Sequence, residues 1–193
     1  MPAEKAAARL GLDVSRLHAW EAGEQAPSIP QLRQLGELYK RPLAFFYLPR
    51  PPQEPEMIVE YRSKSKQEEQ SPELYNELRS AHARRCLAME IAEILQEPAR
   101  QFRSSVTTDE DVESAGSRLR RDLGVSIPDQ TASDNRDDHR SLRLWRTAVE
   151  NCGVLVFQMK GVSTGLTRGF SIPGDVYPVI ALNPGDALNG RVF

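Results

Sequence analysis

Two different spacings of apolar residues run along the chain, one typical of helices and the other of strands. Between Ser71 and Glu97 the apolar side chains recur every three or four residues, which places them on one face of a helix. Ser71 is the expected N-cap of this helix, Pro72 suits its first position, and Pro98 ends it. The apolar positions on this face are Leu74, Leu78, Ala81, Ala88, Ala92 and Leu95.

Two further helices are predicted before residue 153. One runs from about Asp109 to Leu123, with Thr107 or Thr108 as its cap and Gly124 after its end. A polar gap, PDQTASDNRDD, separates it from a third helix that ends at Gly153. The apolar face of the third helix contains Leu142, Trp145, Ala148, Val149 and Cys152.

After residue 153 the spacing changes to that of strands. Three runs, GVLVFQM, LTRGFSI and YPVIALN, are separated by turns that contain Gly or Pro. Helices followed by a cluster of strands predict an α+β fold, and not an α/β fold in which strands and helices alternate around a parallel sheet. The patterns also predict three parts: a helical domain at 1–52, a linker at 53–70 rich in Pro and charged residues, and an α+β domain at 71–193.

Composition and charge exclude few functions. The hydrophobic fraction of 39% and the charged fraction of 27% are those of a soluble globular protein. No apolar run approaches the roughly 20 residues of a membrane span, and no signal peptide is recognisable, so we expect a cytoplasmic protein without membrane contact. The net charge of −2 means that any nucleic-acid binding must come from a local patch. Cys86 and Cys152 are expected to be reduced core thiols.

Residues 4–21, EKAAARLGLDVSRLHAWE, predict a helix-turn-helix. A first short helix ends at Leu10, Gly11 supplies a tight turn, and Asp13 caps a second helix. In such a unit the second helix lies in the DNA major groove with its N-terminal residues facing base edges. The candidate DNA-binding residues, expected to be exposed, are Val14, Ser15, Arg16, His18 and Ala19. The residues expected to maintain the unit are Gly11, Asp13, Leu17, Trp20, Glu21 and Gly23.

The run LHAWEAGEQAPSIPQLRQLGELYKRP resembles the Cro/phage-repressor-like (XRE) family. Its marks are Gly11, Trp20-Glu21, Gly23 and Pro27, followed by leucines spaced along residues 32–38. The W-E-x-G-x-x-x-P spacing joins the end of one helix, a loop and the start of the next helix. The resemblance implies a lambda-repressor-like DNA-binding domain, often dimeric, over residues 1 to about 48. From this resemblance we expect that the first helix of the family is missing from this chain.

Two features of the N-terminal region leave another function open. Val14 and Ala19 cannot hydrogen-bond a base edge, which leaves few candidate readers. Over residues 1–52, seven Lys and Arg oppose five Asp and Glu, and the resulting charge of +2 is small for a DNA-binding surface. An antitoxin-like or dimerising protein-interaction module is therefore the alternative, with a protein partner or a homodimer in place of DNA.

From Ser71 onward the chain resembles the ImmA/IrrE family of metallopeptidase domains. The resemblance rests on LRLWRTAVENCG, GVLVFQMKGV, RGFSIPGD and PVIALN, in that order. It implies a zincin-like, zinc-dependent endopeptidase whose H-E-x-x-H helix follows directly after the strand corresponding to PVIALN. In that motif two His at i and i+4 bind zinc and the Glu acts as general base.

The zinc motif itself is absent from this sequence. The three histidines, His18, His82 and His139, include no pair four residues apart, and none lies beyond residue 139. No nucleophile elbow or Gly-rich phosphate loop is present either. We therefore predict no catalytic residue, no metal ligand and no cofactor in this chain, with zinc expected only in an intact family member. The peptidase-like domain is predicted to be inactive.

Three hypotheses about function follow from these patterns. The first is a DNA-binding transcriptional regulator joined to an incomplete ImmA/IrrE-like metallopeptidase domain. The second is a fragment of an active zinc metallo-endopeptidase that cleaves a regulatory protein, and the third is the interaction module. The final stretch, VIALNPGDALNGRVF, resembles the last strand and turn before the metal-binding helix. We therefore expect a reading frame truncated at both ends, which continues upstream into one more helix and downstream into H-E-x-x-H.

Overall fold

A computed structural model describes residues 1–52, 58–59, 71–98, 101–102, 106–131, 138–188 and 191. These residues divide into two compact units. The first unit holds the described residues of Met1–Pro55 and Gln67–Arg79, and the second holds those of Glu56–Lys66 and Ser80–Phe193. In the described part of the chain, no helix has the length and apolar character needed to cross a membrane.

The first unit is helical throughout its described residues. It contains α1 (Ala3–Leu10), α2 (Val14–Glu21), α3 (Ile29–Tyr39), a short 3-10 helix (Leu43–Tyr47) and the first residues of α4 (Pro72–Ile94). Its core includes a small cluster of the buried residues Ala6, Ala7, Leu17 and Leu35, and Leu74 and Leu78 of α4 are buried as well. The larger apolar side chains around this cluster are only partly buried.

The second unit combines helices with a sheet. Its helices are the remainder of α4, then α5 (Val112–Asp122), α6 (Ile127–Thr131) and α7 (Asp138–Asn151). Its strands are β1 (Ile58–Val59), β2 (Leu155–Gln158), β3 (Gly169–Ile172) and β4 (Val179–Leu182), in the spatial order β1-β3-β4-β2. β2 and β4 are parallel, and the other two pairs are antiparallel. The mixed α+β content predicted from the sequence is therefore confirmed.

Buried side chains on the strands form the core of the second unit, and a buried polar residue lies next to them at the end of β4. Phe170, Val179 and Ala181 are almost inaccessible to solvent. Asn183, directly after β4, is 2% exposed. Its side-chain amide donates to the carbonyls of Val162 and Thr167 at 2.9 and 3.0 Å, and its Oδ1 accepts from the amide of Gly185 at 2.9 Å. Asn183 thereby provides hydrogen-bond partners for backbone groups of the loop before β3 and of the turn after β4, which a buried apolar residue could not do.

The predicted helix caps are partly correct. The Ser71 hydroxyl accepts a long hydrogen bond from the amide of Leu74 at 3.5 Å, as expected of an N-cap. At its other end, α4 stops at Ile94, three residues before the predicted Glu97. The cap of α5 is Asp111 and not Thr107 or Thr108, because the Asp111 carboxylate accepts from the amide of Ser114 at 2.9 Å. Gly124 follows α5 with a φ of +66°, as the sequence predicted.

The structure differs from the sequence pattern at three other places. β1 lies within the segment 53–70 that was predicted as a linker and pairs with β3, while the rest of that segment lies outside the described residues. The predicted polar gap contains most of α6, whose residues Ile127–Thr131 are helical. Cys86 was expected in the core and is a free thiol, but it is exposed because it lies away from the buried face of α4. Leu95, which was predicted on the apolar face of that helix, is 60% exposed. Cys152 is also free and is half-buried.

Candidate nucleic-acid interface

The turn between α1 and α2 is built around Gly11. Its φ of +64° lies in the left-handed region, where a side chain would be strained. The amides of Gly11 and Leu12 donate to the carbonyls of Ala8 and Ala7 at 3.3 and 3.0 Å, so the end of α1 is closed by backbone hydrogen bonds. The predicted role of Gly11 as the turn residue agrees with this geometry.

Asp13 fixes the start of α2. Its Oδ1 accepts from both the amide and the hydroxyl of Ser15, at 2.8 and 2.6 Å. These two hydrogen bonds from Ser15 hold the pKa of Asp13 below its usual range. A charged carboxylate at the N-terminus of a helix is also favoured by the helix dipole. The cap therefore defines which residues form the first turn of α2.

The inner face of α2 packs on α1 through small side chains. Ala6 and Ala7 are completely buried, and Leu17 is 2% exposed. Because alanine side chains are short, the two helix backbones can approach closely around Leu17. Trp20, one turn later, is only half-buried at the edge of this core. Leu17 and Trp20 thus lie on the face expected from the sequence.

The outer face of α2 carries three of the five predicted readers. Successive residues of a helix are rotated by about 100°, and this rotation brings Ser15, Arg16 and His18 to the side away from Leu17, where all three are exposed. Val14 and Ala19 are only partly exposed, so the prediction of five exposed residues is wrong for these two. Val14 packs against the core cluster, because it lies on the same side of the helix as Leu17.

Arg16 and His18 each have a neighbour within α2. The guanidinium carbon of Arg16 lies 5.5 Å from the centre of the Trp20 ring, within cation–π range. His18 Nδ1 lies 3.7 Å from Glu21 Oε2, and both side chains are more than half exposed. Such an exposed pair contributes little to stability, so His18 can reorient.

The end of α2 leads into α3 through a tight loop. Gly23 has a φ of +73°, and the amides of Glu24 and Gln25 both donate to the carbonyl of Ala19, at 2.9 and 3.2 Å. At the start of α3, Gln31 Oε1 accepts from the backbone amide of Ser28 at 2.8 Å. The W-E-x-G-x-x-x-P spacing therefore corresponds to a helix end, a turn at Gly23 and a new helix start.

Sequence reasoning missed an open groove behind α2, which we call the α2 groove. It lies within the first unit and has a volume of about 810 Å³. Its walls come from the inner face of α2, from α3, from the 3-10 helix and from the start of α4, and include Trp20, Tyr39, Phe45, Phe46 and Tyr75. The available signal was the number of large aromatic residues in a unit whose core cluster consists of two alanines and two leucines.

The histidines are not grouped in the described part of the chain. His82 lies beside Cys86 on α4, with Nδ1 and Sγ 3.7 Å apart, while His18 is on α2 and His139 is exposed at the start of α7. Across the residues that the structure describes, no three His, Cys, Asp or Glu side chains are arranged to hold a metal ion. The described donors by themselves do not form the zinc site that the peptidase resemblance implies.

Comparison with known proteins concerns the N-terminal region alone. Residues 1–46 match a family model described as helix-turn-helix, which covers less than a quarter of the 193 residues. Searches of curated proteins and of solved structures gave no match. The matched residues include α1, the turn at Gly11 and all of α2. Residues 1–46 are therefore similar to helix-turn-helix domains of the XRE type, which suggests a DNA-binding regulator.

Proposed function

We propose that the first unit binds double-stranded DNA by placing the N-terminal half of α2 in the major groove. The observation that carries the proposal is the division of α2 into two faces. Leu17 packs against α1, while Ser15, Arg16 and His18 are exposed on the other side. A helix with one buried face and one exposed polar face, fixed by a tight turn, is the geometry that a recognition helix requires.

The exposed side chains have the chemistry for reading bases. An arginine can donate two parallel hydrogen bonds to the O6 and N7 acceptors of guanine, and a serine can donate or accept. We assign the main base contact to Arg16, with Ser15 and His18 beside it. The half-exposed methyl group of Ala19 has a smaller role, since it can only make apolar contact, for example with a thymine methyl group.

Positive side chains on α1 extend the interface toward the phosphates. Lys5 and Arg9 are exposed and lie one helical turn apart. In helix-turn-helix complexes the first helix of the pair crosses the DNA backbone, so these two cations are suited to phosphate contacts. With so few cations, we expect weak binding and a shallow salt dependence.

The experiment compares two arginine variants in a binding-site selection followed by gel shifts. Arg16→Ala is expected to weaken binding to the selected duplexes by about tenfold or more, and to relax the base preference at one position. Arg146→Ala is the matched control, because Arg146 is an exposed arginine on α7 of the second unit that pairs with Glu150. Equal binding by the two variants, both folded by circular dichroism, would contradict the assignment.

For the second unit, we propose the supporting part of an ImmA/IrrE-like fold without a zinc site of its own. The order of α7, β2, β3 and β4 supports this proposal, as does the helical conformation of Leu188 and Arg191 after the turn that follows β4. The amide of Arg191 donates to the carbonyl of Ala187 at 3.1 Å, which is a helical hydrogen bond.

Zinc content tests this proposal for the second unit. Metal analysis of the purified chain is expected to find far less than one zinc per molecule, because no His pair has ligand spacing. The same protein dialysed against excess zinc and then against buffer serves as the loaded control. One zinc retained per chain would contradict the proposal and favour the hypothesis of an active metallopeptidase fragment.

A second candidate function, a protein-interaction module, is favoured by the exposed apolar side of α4. Leu87, Ile91 and Ile94 follow each other at helical spacing and are 53%, 46% and 78% exposed. A contiguous apolar surface of this kind often marks a contact with another protein. This candidate predicts that the same site selection yields no preferred DNA sequence, whereas the DNA-binding proposal predicts that it does.

A further inference from the structure

We propose that His82 and Cys86 of α4 bind a zinc-like metal ion together with the same two residues of a second copy of this chain. Both donors lie in the second unit. Cys86 is exposed and His82 is partly exposed, so an ion can reach the pair from solvent. The proposal is independent of DNA binding, which concerns α1 and α2 of the first unit.

The distance between the two donor atoms is the first argument for a metal site. His82 Nδ1 and Cys86 Sγ are 3.7 Å apart, because residues four positions apart on a helix are neighbours on its surface. A tetrahedral zinc ion, at about 2.0–2.1 Å from nitrogen and about 2.3 Å from sulfur, holds two such ligands about 3.6 Å apart. An ion can therefore bind between the two side chains with little movement of either.

The chemistry of the donors selects the class of metal. Imidazole and thiolate are ligands of zinc and related ions, whereas magnesium and calcium prefer oxygen. Binding converts the thiol into a thiolate, so each chain releases one proton to solvent when its Cys86 binds the ion. No electron is transferred in this step, and no redox partner is needed.

A second copy is required because one chain supplies only half of the coordination sphere. Structural zinc sites have four protein ligands. Among the residues that the structure describes, no third His, Cys, Asp or Glu is placed to complete a metal site with this pair. Two copies related by a twofold axis would supply two nitrogens and two sulfurs, which is a complete tetrahedral Cys₂His₂ set.

The surface around the pair is accessible and partly apolar. Met89, one turn after Cys86, is 43% exposed, and Leu87, the next residue along the chain from Cys86, is 53% exposed. These side chains can pack across the contact, but so few bury far less than the roughly 1,200–2,000 Å² of a stable interface. The apolar surface alone therefore cannot hold two copies together, and dimerisation through α4 should depend on the ion.

The stoichiometry separates this site from a peptidase zinc site. One ion per two chains corresponds to at most half an ion per chain, and the ion is lost when the dimer dissociates on dilution or dialysis. The single zinc per chain that would indicate a metallopeptidase fragment is therefore a different result.

Sedimentation velocity of the full chain tests the proposal, with either zinc chloride or EDTA, and with TCEP to keep both cysteines reduced. Zinc is expected to double the sedimenting mass, and EDTA is expected to reverse the change. A titration with Co²⁺ in place of zinc follows the thiolate-to-cobalt absorption band. It is expected to reach its end point at one ion per two chains.

Four variants then locate the ligands. Cys86→Ser and His82→Gln should each abolish the doubling of mass. Cys152→Ser and His139→Gln, which change the other cysteine and a histidine of α7, should retain it. Far-UV circular dichroism verifies that each variant is folded. An unchanged mass of the folded wild type in zinc, one cobalt bound per monomer, or zinc-dependent dimerisation in both folded ligand variants would each overturn the proposal.

Discussion

Gly36 and Gly116 both lie within helices but occupy opposite environments. Gly36 is buried in α3, and a Cβ added there would lie 2.7 Å from the carbonyl oxygen of Arg41. Gly116 is exposed on α5, and a Cβ there would meet nothing within 4 Å. The close approach at Gly36 lets the chain turn back after α3, which no larger residue would allow.

The same substitution should therefore have opposite effects at these two positions. Gly116→Ala is expected to raise the free energy of unfolding by about 0.5–1 kcal/mol, because alanine is the better helix former. Gly36→Ala is expected to lower it despite the same helical preference, because the backbone of Arg41 must move.

Urea unfolding measures both effects, with Trp20 reporting on the first unit and Trp145 on the second. Stabilisation by Gly36→Ala would show that the contact with Arg41 is not tight in solution.

At the residue scale, the sequence predicted the outward direction of Ser15, Arg16 and His18 correctly. Helical geometry alone separates them from Leu17, so no tertiary information was needed. The same geometry places Val14 beside Leu17, so its partial burial was predictable, whereas the partial burial of Ala19 depends on how neighbouring segments pack against α2. The same limit explains Cys86, whose exposure depends on which side of α4 the second unit covers.

Among the helices, four carboxylates near their N-termini share one electrostatic feature. Hydrogen bonds from Ser15, Ser71, Ser114 and Ser126 lower the pKa values of Asp13, Glu73, Asp111 and Asp129, respectively. A carboxyl group whose pKa is lower in the folded state stabilises the protein above its unfolded pKa. That stabilisation is lost as the pH falls through the folded value.

Stability should therefore decrease with acidification below about pH 4, the region of the unfolded carboxyl pKa values. Asp111→Asn tests one such group, since asparagine also caps helices but does not titrate. The variant is expected to lose less stability than the wild type between neutral and acidic pH in thermal unfolding. Asp109→Asn, an exposed neighbour before the cap, is the control. An identical pH dependence in Asp111→Asn and the wild type would contradict this account.

The elements themselves differed in how well the sequence predicted them. The three runs that contain β2, β3 and β4 alternate or are continuously apolar, and their turns contain Gly or Pro, so local pattern was sufficient. β1 has only two residues, and it is a strand because it pairs with β3, more than 100 positions away. The start of α5 was misplaced because the pattern indicated Thr107 or Thr108 as its cap, and only the hydrogen bond from the amide of Ser114 identifies Asp111 as the one used.

For the whole molecule, the sequence predicted helices followed by a cluster of strands. β2, β3 and β4 follow this order, whereas β1 precedes α4. The α2 groove could not be predicted, because it depends on how four helical segments meet and leave large side chains only partly covered. The charge of residues 1–52 was available from the sequence, and at +2 it remains the main reason to expect only weak DNA binding.

The DNA-binding proposal is tested most directly by titrating a fluorescent duplex of random sequence with the full chain at two salt concentrations. We expect binding at about 50 mM salt that weakens by only about tenfold at about 200 mM, because a small number of phosphate contacts releases few counterions. Anisotropy gives the affinity at each salt concentration, and circular dichroism verifies that the protein is folded. Absence of binding by the folded protein at the lower salt concentration would contradict the account.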